Sequence, residues 1–438
     1  LKDQVPRLYS EYGKYINGFR AFPLIHDGLK IVERRLLYSL FQAAKDHYTK
    51  SAKIVGHCIG NYHPHGDVST YMALVSMVQG GLADGQGNWG ANIGVTSCDA
   101  AAQRYTEVRS SKEILRIAFE YIKYVDHEVL EMDEEPVYLP TKLPICLINR
   151  NNCQGIGFGS RTVIPSFEKK DLIKRLKWLL GYRSTEPLIK PLNGGCKELS
   201  PDSEFRELLN TGRCKLEYEG VSSTSGPKSV VVTNLPTGKS FAKLFKQMEK
   251  DIQIDKAVGW TDETSGATGT KVRFTILRQR GYKIEKLAKK VKKLITGSVT
   301  FECNMCDREG KVILVSIDKM LMNCYEKYKE TVERYLNSSI QKLQEDIDEM
   351  LLIQRIKEVL PTHIQAHPDD PDMVIQKVHG DTSISINIIK ELFNKYNISR
   401  LLKVQVDIQK VRDEKAVFEG KLQNLETFIW DDKYAGEV

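Results

Sequence analysis

The chain has 438 residues, 41% of them hydrophobic and 28% charged, with a net charge of +7. That composition suits about two to four globular domains and excludes collagen-like and low-complexity classes. No stretch approaches the roughly 18 consecutive apolar residues of a membrane span. The start, Leu-Lys-Asp-Gln, has no apolar signal core, and its missing Met reads as a trimmed N-terminus. Nine cysteines without close pairing read as reduced thiols, so a cytoplasmic location is expected.

In chain order, residues 29–47 place Val32, Leu36, Leu40 and Ala43 at helical spacing. A shorter helix over 51–60 breaks at Tyr62-His63-Pro64-His65-Gly66, and Asp67 or Ser69 then caps a third helix reaching about Val78. Helix, short helix, tight turn and helix outline a helix-turn-helix unit. The Gly-rich stretch 80–94 suits the loops of a β-wing, and 104–109 suits a short strand or a strand-to-helix junction.

The middle third changes character. Strand-like runs at 214–220, 228–236 and 271–277 alternate with Lys-rich helices such as 283–295, which predicts a separate α/β module. Residues 166–320 hold 30 Lys/Arg against 19 Asp/Glu, whereas 1–165 hold 18 against 17 and 321–438 hold 16 against 21. A basic middle suits a polyanion, although ordinary surface variation also reaches such a value. From about 320, Tyr325, Tyr328, Val332, Leu336, Ile340, Leu343, Ile347 and Met350 form one long stripe. Ile408, Val411, Phe418, Leu422, Leu425 and Ile429 form a second. Separated by a Pro-containing insert at 361–372, the stripes predict an antiparallel helical pair with a small tip suited to dimer contact. The expected domains are 1–165, 166–320 and 321–438, in a multidomain α+β fold.

Several short patterns are set aside. Gly238-Lys239-Ser240 lacks the Gly five residues earlier that a phosphate loop needs, because Thr233 stands there. Cys303-x-x-Cys306 and His363-x-x-x-His367 are too far apart for a zinc finger. Gly155-x-Gly157-x-Gly159 has no acidic residue at the distance a dinucleotide site requires. Asp346/Asp348 and Asp370/Asp372 lack the preceding apolar strand of an acidic Mg²⁺ site, so no metal site is expected in this chain.

Four segments hold together instead. Arg20, Lys30, Arg34 and Arg35 surround a turn and the first turns of a helix, where phosphate is favoured. Asn61-Tyr-His-Pro-His-Gly-Asp67 presents two imidazoles at a helix start. Ala100-Ala-Ala-Gln-Arg-Tyr-Thr-Glu107 and Gly155-Ile-Gly-Phe-Gly-Ser-Arg-Thr-Val-Ile164-Pro165 complete the set. With DGQGNWG and LPTKLP, these motifs stand in the order and spacing of the breakage-reunion component of type IIA DNA topoisomerases. The chain resembles the family of the DNA gyrase A protein and the topoisomerase IV C protein, and looks closest to the medium subunit of T-even-type phage topoisomerases. The resemblance is dense over about 15–167 and looser beyond.

The resemblance implies a winged-helix cleavage domain, a tower domain, and a coiled-coil stalk ending in a dimerisation gate. It implies an ATP-dependent isomerase that cuts both strands of DNA through 5′-phosphotyrosyl links, passes a second duplex and reseals. Tyr105 is then the nucleophile, since a tyrosyl phosphodiester conserves the bond energy for resealing. Arg104 stabilises the phosphorane. Arg20, Lys30, Arg34 and His63 sit near the scissile phosphate, with Arg35 and His65 as further DNA contacts. Ile164, followed by Pro165, is expected to wedge between base pairs from a loop tip. Lys30 is followed by Ile31 where the family usually has Pro. Mg²⁺ and ATP are expected on a separate ATPase/TOPRIM subunit, with two copies of this chain forming a homodimer, in the host cytoplasm if phage-encoded. The chain ends soon after Trp430, so the DNA-wrapping domain of gyrase, and negative supercoiling, are not expected. Where gyrases usually carry a Ser and an acidic residue that bridge quinolone-bound Mg²⁺ through water, Val68 and Met72 stand here. A non-enzymatic, architectural DNA-binding protein is the alternative reading.

Overall fold

The computed structural model describes residues 4–90, 99–237, 239, 244, 246, 247, 249, 250, 258–262, 274–278, 283–368 and 370–431. Two compact units are present, Leu1–Tyr328 and Lys329–Val438.

The first unit opens with helix α1 (Gln4–Ile16), which runs into a π-helical turn at Asn17–Ala21 that carries Arg20. Helix α2 (Ile31–Ala43) buries Leu36, Leu37 and Leu40, as the apolar spacing requires. It stops short of residue 47 because the Ser110 N–H donates to the Ala44 carbonyl at 2.9 Å and draws the chain to a sheet edge. Strand β1 (Thr49–Lys50), helix α3 (Ser51–Asn61) and helix α4 (Asp67–Gln79) follow. Strands β2 (Ala83–Gln86) and β3 (Glu107–Ser110) complete an antiparallel sheet in the order β1–β3–β2. Gly66, not Asp67 or Ser69, stands at the cap of α4; the Ser69 hydroxyl instead donates back to the Gly66 carbonyl at 2.7 Å. Residues 91–94 of the Gly-rich stretch lie outside the described residues.

Helix α5 (Lys112–Ala118), the hairpin of β4 (His127–Val129) and β5 (Glu134–Pro136), and the one-turn helix α6 (Ile145–Ile148) lead to a larger sheet. Its members are β6 (Cys153–Ile156), β7 (Arg161–Ile164), β8 (Lys197–Glu198), β9 (Arg213–Glu219) and a late strand, Thr296–Glu302. Helices α7 (Lys169–Leu179) and α8 (Asp202–Thr211) lie between them in sequence. Strands β10 (Val221–Ser225), β11 (Ser229–Asn234), β12 (Val258–Asp262) and β13 (Phe274–Arg278) form a separate sheet ordered β10–β11–β13–β12. Helix α9 (Ile284–Ile295) buries Leu287, Val291 and Ile295, while Lys283, Lys286, Lys289, Lys292 and Lys293 lie on its outer side. The late strand is β14, and the larger sheet runs β6–β7–β14–β9–β8. A short hairpin of β15 (Asn304–Cys306) and β16 (Val312–Leu314) follows. Residues 271–273 of one expected strand, and Gly238 and Ser240, lie outside the described residues.

The expected division after 165 therefore needs correction. Strand β7 lies beside β14, with Val163 opposite Glu302, so one sheet joins residues on both sides of that boundary. The division between units falls at Tyr328/Lys329.

Helix α10 (Ile317–Ala366) supplies the first long stripe. In the second unit the tip helices α11 (Pro371–Thr382), α12 (Ile386–Tyr396) and α13 (Ile398–Leu401) pack on its end around Ile356, Leu360, Val378 and Ile389. Helices α14 (Ile408–Gln423) and α15 (Leu425–Asp431) return antiparallel to α10. Lys415 Nζ lies 2.8 Å from Gln344, the Tyr335 and Phe418 rings are 6.1 Å apart, and Lys329 Nζ lies 2.6 Å from Glu426. No residue of α14 is fully buried, because a two-helix layer covers only one flank of each helix. The expected insert starts at Pro361, yet this residue lies within α10. Burial of Ile356 and Leu360 in the tip core offsets the roughly 3 kcal/mol that an interior Pro costs. Among the described residues, no helix is long and apolar enough to cross a membrane.

Candidate functional site

Asp27 organises the first basic segment. Its carboxylate, fully buried, accepts the N–H of Leu29 at 2.9 Å and of Leu139 at 3.0 Å. Its carbonyl accepts from Ile145 at 2.9 Å, which explains why the LPTKLP stretch accompanies this turn. Gly28 has φ +72°, and a Cβ there would meet the Cys146 sulfur at 2.8 Å. The turn thereby delivers Lys30 to the start of α2, where its N–H is bound by Glu33 at 2.9 Å. The Lys30 ammonium reaches the Gln154 carbonyl at 2.6 Å, beside strand β6.

Two of the expected phosphate contacts, Arg34 and Arg35, are paired with carboxylates inside the protein. Arg34 is 4% exposed, and its Nε donates to Asp27 at 2.6 Å, because a buried carboxylate needs a counter-ion. Arg35 is 1% exposed; its Nε and Nη2 engage Glu135, while Nη1 reaches Glu131 at 2.5 Å and His63 Nδ1 at 3.0 Å. Neither guanidinium faces solvent, so only Arg20 and Lys30 of the four cations offer surface charge.

His63 is 6% exposed, and its ring stacks on His65 with centroids 4.2 Å apart. Burial first, then His65 and Arg35, hold its pKa down at about 4. The half-buried His65 is shifted down as well, by burial and then by Arg20. Tyr15 donates its hydroxyl to Glu131 at 3.3 Å, and the Arg20 guanidinium lies 5.7 Å over the Tyr15 ring. The structure thus gathers Arg20, Arg35, His63 and His65 with Tyr15, Glu131 and Glu135, three residues that sequence reasoning missed. Arg35 and Glu135 are 100 positions apart, and no local pattern marks such a pair.

His63, His65 and Glu131 bring ligand-type atoms within 4.8 Å of one another. The Arg35 guanidinium already sits on two of the three, and two imidazoles suit Mg²⁺ poorly because it demands oxygen ligands. This cluster does not fit the Mg²⁺ that the resemblance implies.

The second motif projects two side chains from a docked turn. Thr106 is fully buried and bonds Ser51 at 2.8 Å and Tyr71 at 2.9 Å. Tyr71 also donates to the Ala101 carbonyl at 2.6 Å, and Gln103 donates to Asp67 at 3.0 Å. With its neighbours so held, Tyr105 is 65% exposed, and the Arg104 guanidinium lies 4.6 Å over its ring. The bonds that dock this turn run to α3 and α4, whereas those of the Arg20–His63 cluster run to α2 and the β4–β5 hairpin.

The expected wedge is corrected too. Ile164 is fully buried at the base of the β6–β7 hairpin, opposite Cys153, and Pro165 is also buried. At the other end Ile156 is 89% exposed. The glycines explain the reversal. A Cβ on Gly155 would fall 2.0 Å from the Ala21 carbonyl, and one on Gly157 would fall 2.3 Å from Phe22. The hairpin lies so close to the 17–22 segment that only glycine fits, and strand alternation then turns Ile156 outward. The Gly-Ile-Gly pattern itself was the available signal.

These are the motif positions of a known family. Residues 20–437 match the model of the DNA gyrase/topoisomerase IV A-subunit family. The chain belongs to that family. It is 28% identical to the DNA gyrase A protein of Ureaplasma parvum serovar 3 over 427 residues, covering 92% of this chain and 48% of the relative. It is 28% identical to the DNA topoisomerase 4 A protein of Salmonella typhimurium over 445 residues, covering 94% and 58%. The Bacillus subtilis topoisomerase 4 A protein is 27% identical over 475 residues, covering 99% and 56%. This member of the gyrase/topoisomerase IV family thus spans about half the length of the curated relatives it matches.

Proposed function

We propose that this chain is the DNA-breakage-and-reunion subunit of an ATP-dependent type II DNA topoisomerase. The observation that carries the reading is the pairing of exposed Tyr105 with Arg104 on a docked turn, inside the family-matched region. Tyr105 Oη attacks the scissile phosphorus, the P–O3′ bond breaks, and the 3′-oxygen leaves with a proton. The strand is held as a 5′-phosphotyrosyl ester, and the reverse step reseals it. Arg104 answers the negative charge that develops only in the transition state. Arg20 and Lys30 contact phosphates of the cleaved segment, and His63 contacts the scissile region. His65 supports His63 by stacking on it.

The unit of three helices and the sheet β1–β3–β2 acts as the winged-helix cleavage domain. The Lys face of α9 belongs to the tower that holds flanking DNA. The tip of α10 to α13 closes a homodimer, so that two Tyr105 residues cut the two strands. We assign the wedge between base pairs to Ile156. Mg²⁺ and ATP belong to a separate ATPase/TOPRIM subunit, and no step here is routed through them.

Exposed Ile156, on a hairpin whose strand β6 also meets Lys30, favours a second reading, an architectural DNA-bending protein without chemistry. Covalent trapping separates the two. The chain is mixed with candidate ATPase/TOPRIM subunits, duplex DNA, Mg²⁺ and ATP, then denatured. A 5′-linked protein–DNA adduct, lost in Tyr105→Phe and reduced about 10²–10³-fold in Arg104→Ala, is expected. An adduct that persists in Tyr105→Phe removes this tyrosine from the role.

A further inference from the structure

We infer that Arg35 is a positioning residue that holds His63 as the tautomer protonated on Nε2, presenting a fixed, uncharged N–H donor to a DNA phosphate oxygen. The DNA-facing half of this inference rests on the proposed topoisomerase function; the tautomer itself does not.

A guanidinium carries five N–H donors, has no acceptor, and is never deprotonated in a protein. In Arg35, Nε lies 2.9 Å and 3.0 Å from the two Glu135 oxygens and Nη2 lies 2.6 Å from one of them. The two hydrogens of Nη1 serve Glu131 at 2.5 Å and His63 Nδ1 at 3.0 Å. Because Arg35 can only donate, His63 Nδ1 must supply a lone pair. The proton of the neutral ring is therefore on Nε2. That nitrogen has no hydrogen-bond partner among the described residues, so its N–H is left unclaimed by the protein.

The surroundings keep the ring uncharged as well as oriented. Burial, His65 of the same turn, Arg35 of α2 and Arg20 of the π-helical turn all oppose protonation, and Glu131, on the loop after β4, favours it. Glu131 and Glu135 meanwhile outweigh the single charge of Arg35, so the cluster offers a phosphate direction and not positive charge. The ring cannot turn over, because its Nδ1 side is held by Arg35 and its face by His65. A neighbouring partner that fixes which imidazole nitrogen carries the proton is a common device for aiming a histidine.

Two measurements test this. The first uses the full chain, free of DNA, with ¹⁵N-labelled histidine, and His63 is assigned by the signal lost in His63→Gln. The expected spectrum is a neutral ring protonated on Nε2 throughout pH 5.5–8, with that preference lost in Arg35→Lys. A ring protonated on Nδ1, an imidazolium at pH 7, or an unchanged tautomer in folded Arg35→Lys overturns the role given to Arg35. The second compares His63→Gln, whose amide nitrogen reproduces the Nε2 donor, with His63→Asn, which reproduces Nδ1. In the adduct assay, Gln is expected within about tenfold of native and Asn about 10²-fold or more below it, the loss of one oriented donor. Asn equal to or better than Gln overturns the inference even if Arg35→Lys does not fold. A native complex that forms no Tyr105-dependent adduct overturns the topoisomerase reading instead, while the spectrum still decides the tautomer.

Discussion

At the scale of single residues, chemically alike side chains in one motif have different work to do. Arg20 and Lys30 lie at the surface, whereas Arg34 neutralises a carboxylate that is fully enclosed. Arg20→Ala and Lys30→Ala are expected to weaken DNA binding and lower its salt slope by about one charge each. Arg34→Ala leaves Asp27 buried and unpaired, so a loss of about 3–5 kcal/mol in stability is expected. Affinity titrations across salt and thermal melts of the three variants check this; an unchanged melt for Arg34→Ala would show that Asp27 finds another partner. The two isoleucines of the β6–β7 hairpin divide in the same way. Ile156→Ala should reduce DNA bending, read by fluorescence transfer, without altering the melt. Ile164→Ala should cost about 2–5 kcal/mol as a core cavity and leave the bend of the folded fraction unchanged. The reverse pattern would return the wedge to Ile164.

At the scale of elements, the helical period decided which faces are apolar, and α4 shows the functional consequence. Val68 and Met72 are one turn apart and 69% and 56% exposed, so they form one open patch on this helix. Neither can hold water around a metal ion as a Ser and a carboxylate can. If the proposed function holds, quinolone poisoning of a complex containing this chain is expected to be weaker than that of bacterial gyrase by about 2–3 kcal/mol, roughly 30–150-fold, the worth of two water-mediated contacts to a charged centre. A cleavage-complex titration of native protein against Val68→Ser/Met72→Asp checks this. Native protein poisoned at gyrase-like concentrations, or a double variant that gains nothing, would show that these two positions do not govern the drug. The ends of the helices followed other rules. Helix α2 ends where Ser110 captures the Ala44 carbonyl, and α10 runs through Pro361 because Ile356 and Leu360 before it are buried in the tip core and Ile364 after it packs on that core.

At the scale of the molecule, the first 165 residues do not close on themselves. Strand β14 lies beside β7, Asn304 donates to the Arg161 carbonyl at 2.7 Å, and Thr162 donates to the Glu302 carbonyl at 3.2 Å. The Ile25 N–H also donates to the Cys306 carbonyl at 3.0 Å beside the basic turn. A fragment ending at Pro165 would leave these strand and turn groups unpaired. It is therefore expected to show no cooperative thermal transition by near-ultraviolet circular dichroism. A sharp transition would mean that residues 1–165 fold without the strands that follow.

Local periodicity by itself determined helices α2, α3 and α4, the two long stripes and the tight histidine turn. Each of these depends on residues within a few turns of one another, where the pattern of apolar spacing is complete in the chain. The motif order likewise carried the family and singled out Tyr105. Only the tertiary structure decided which cations lie at the surface, which isoleucine is exposed and where the first unit ends. Arg35 is neutralised by Glu135 from 100 positions away, Ile156 is turned outward by the approach of the segment at Ala21, and β7 waits for a strand from residue 296 onward. Burial and charge pairing are properties of neighbours in space, and a sequence read in order does not bring those neighbours together.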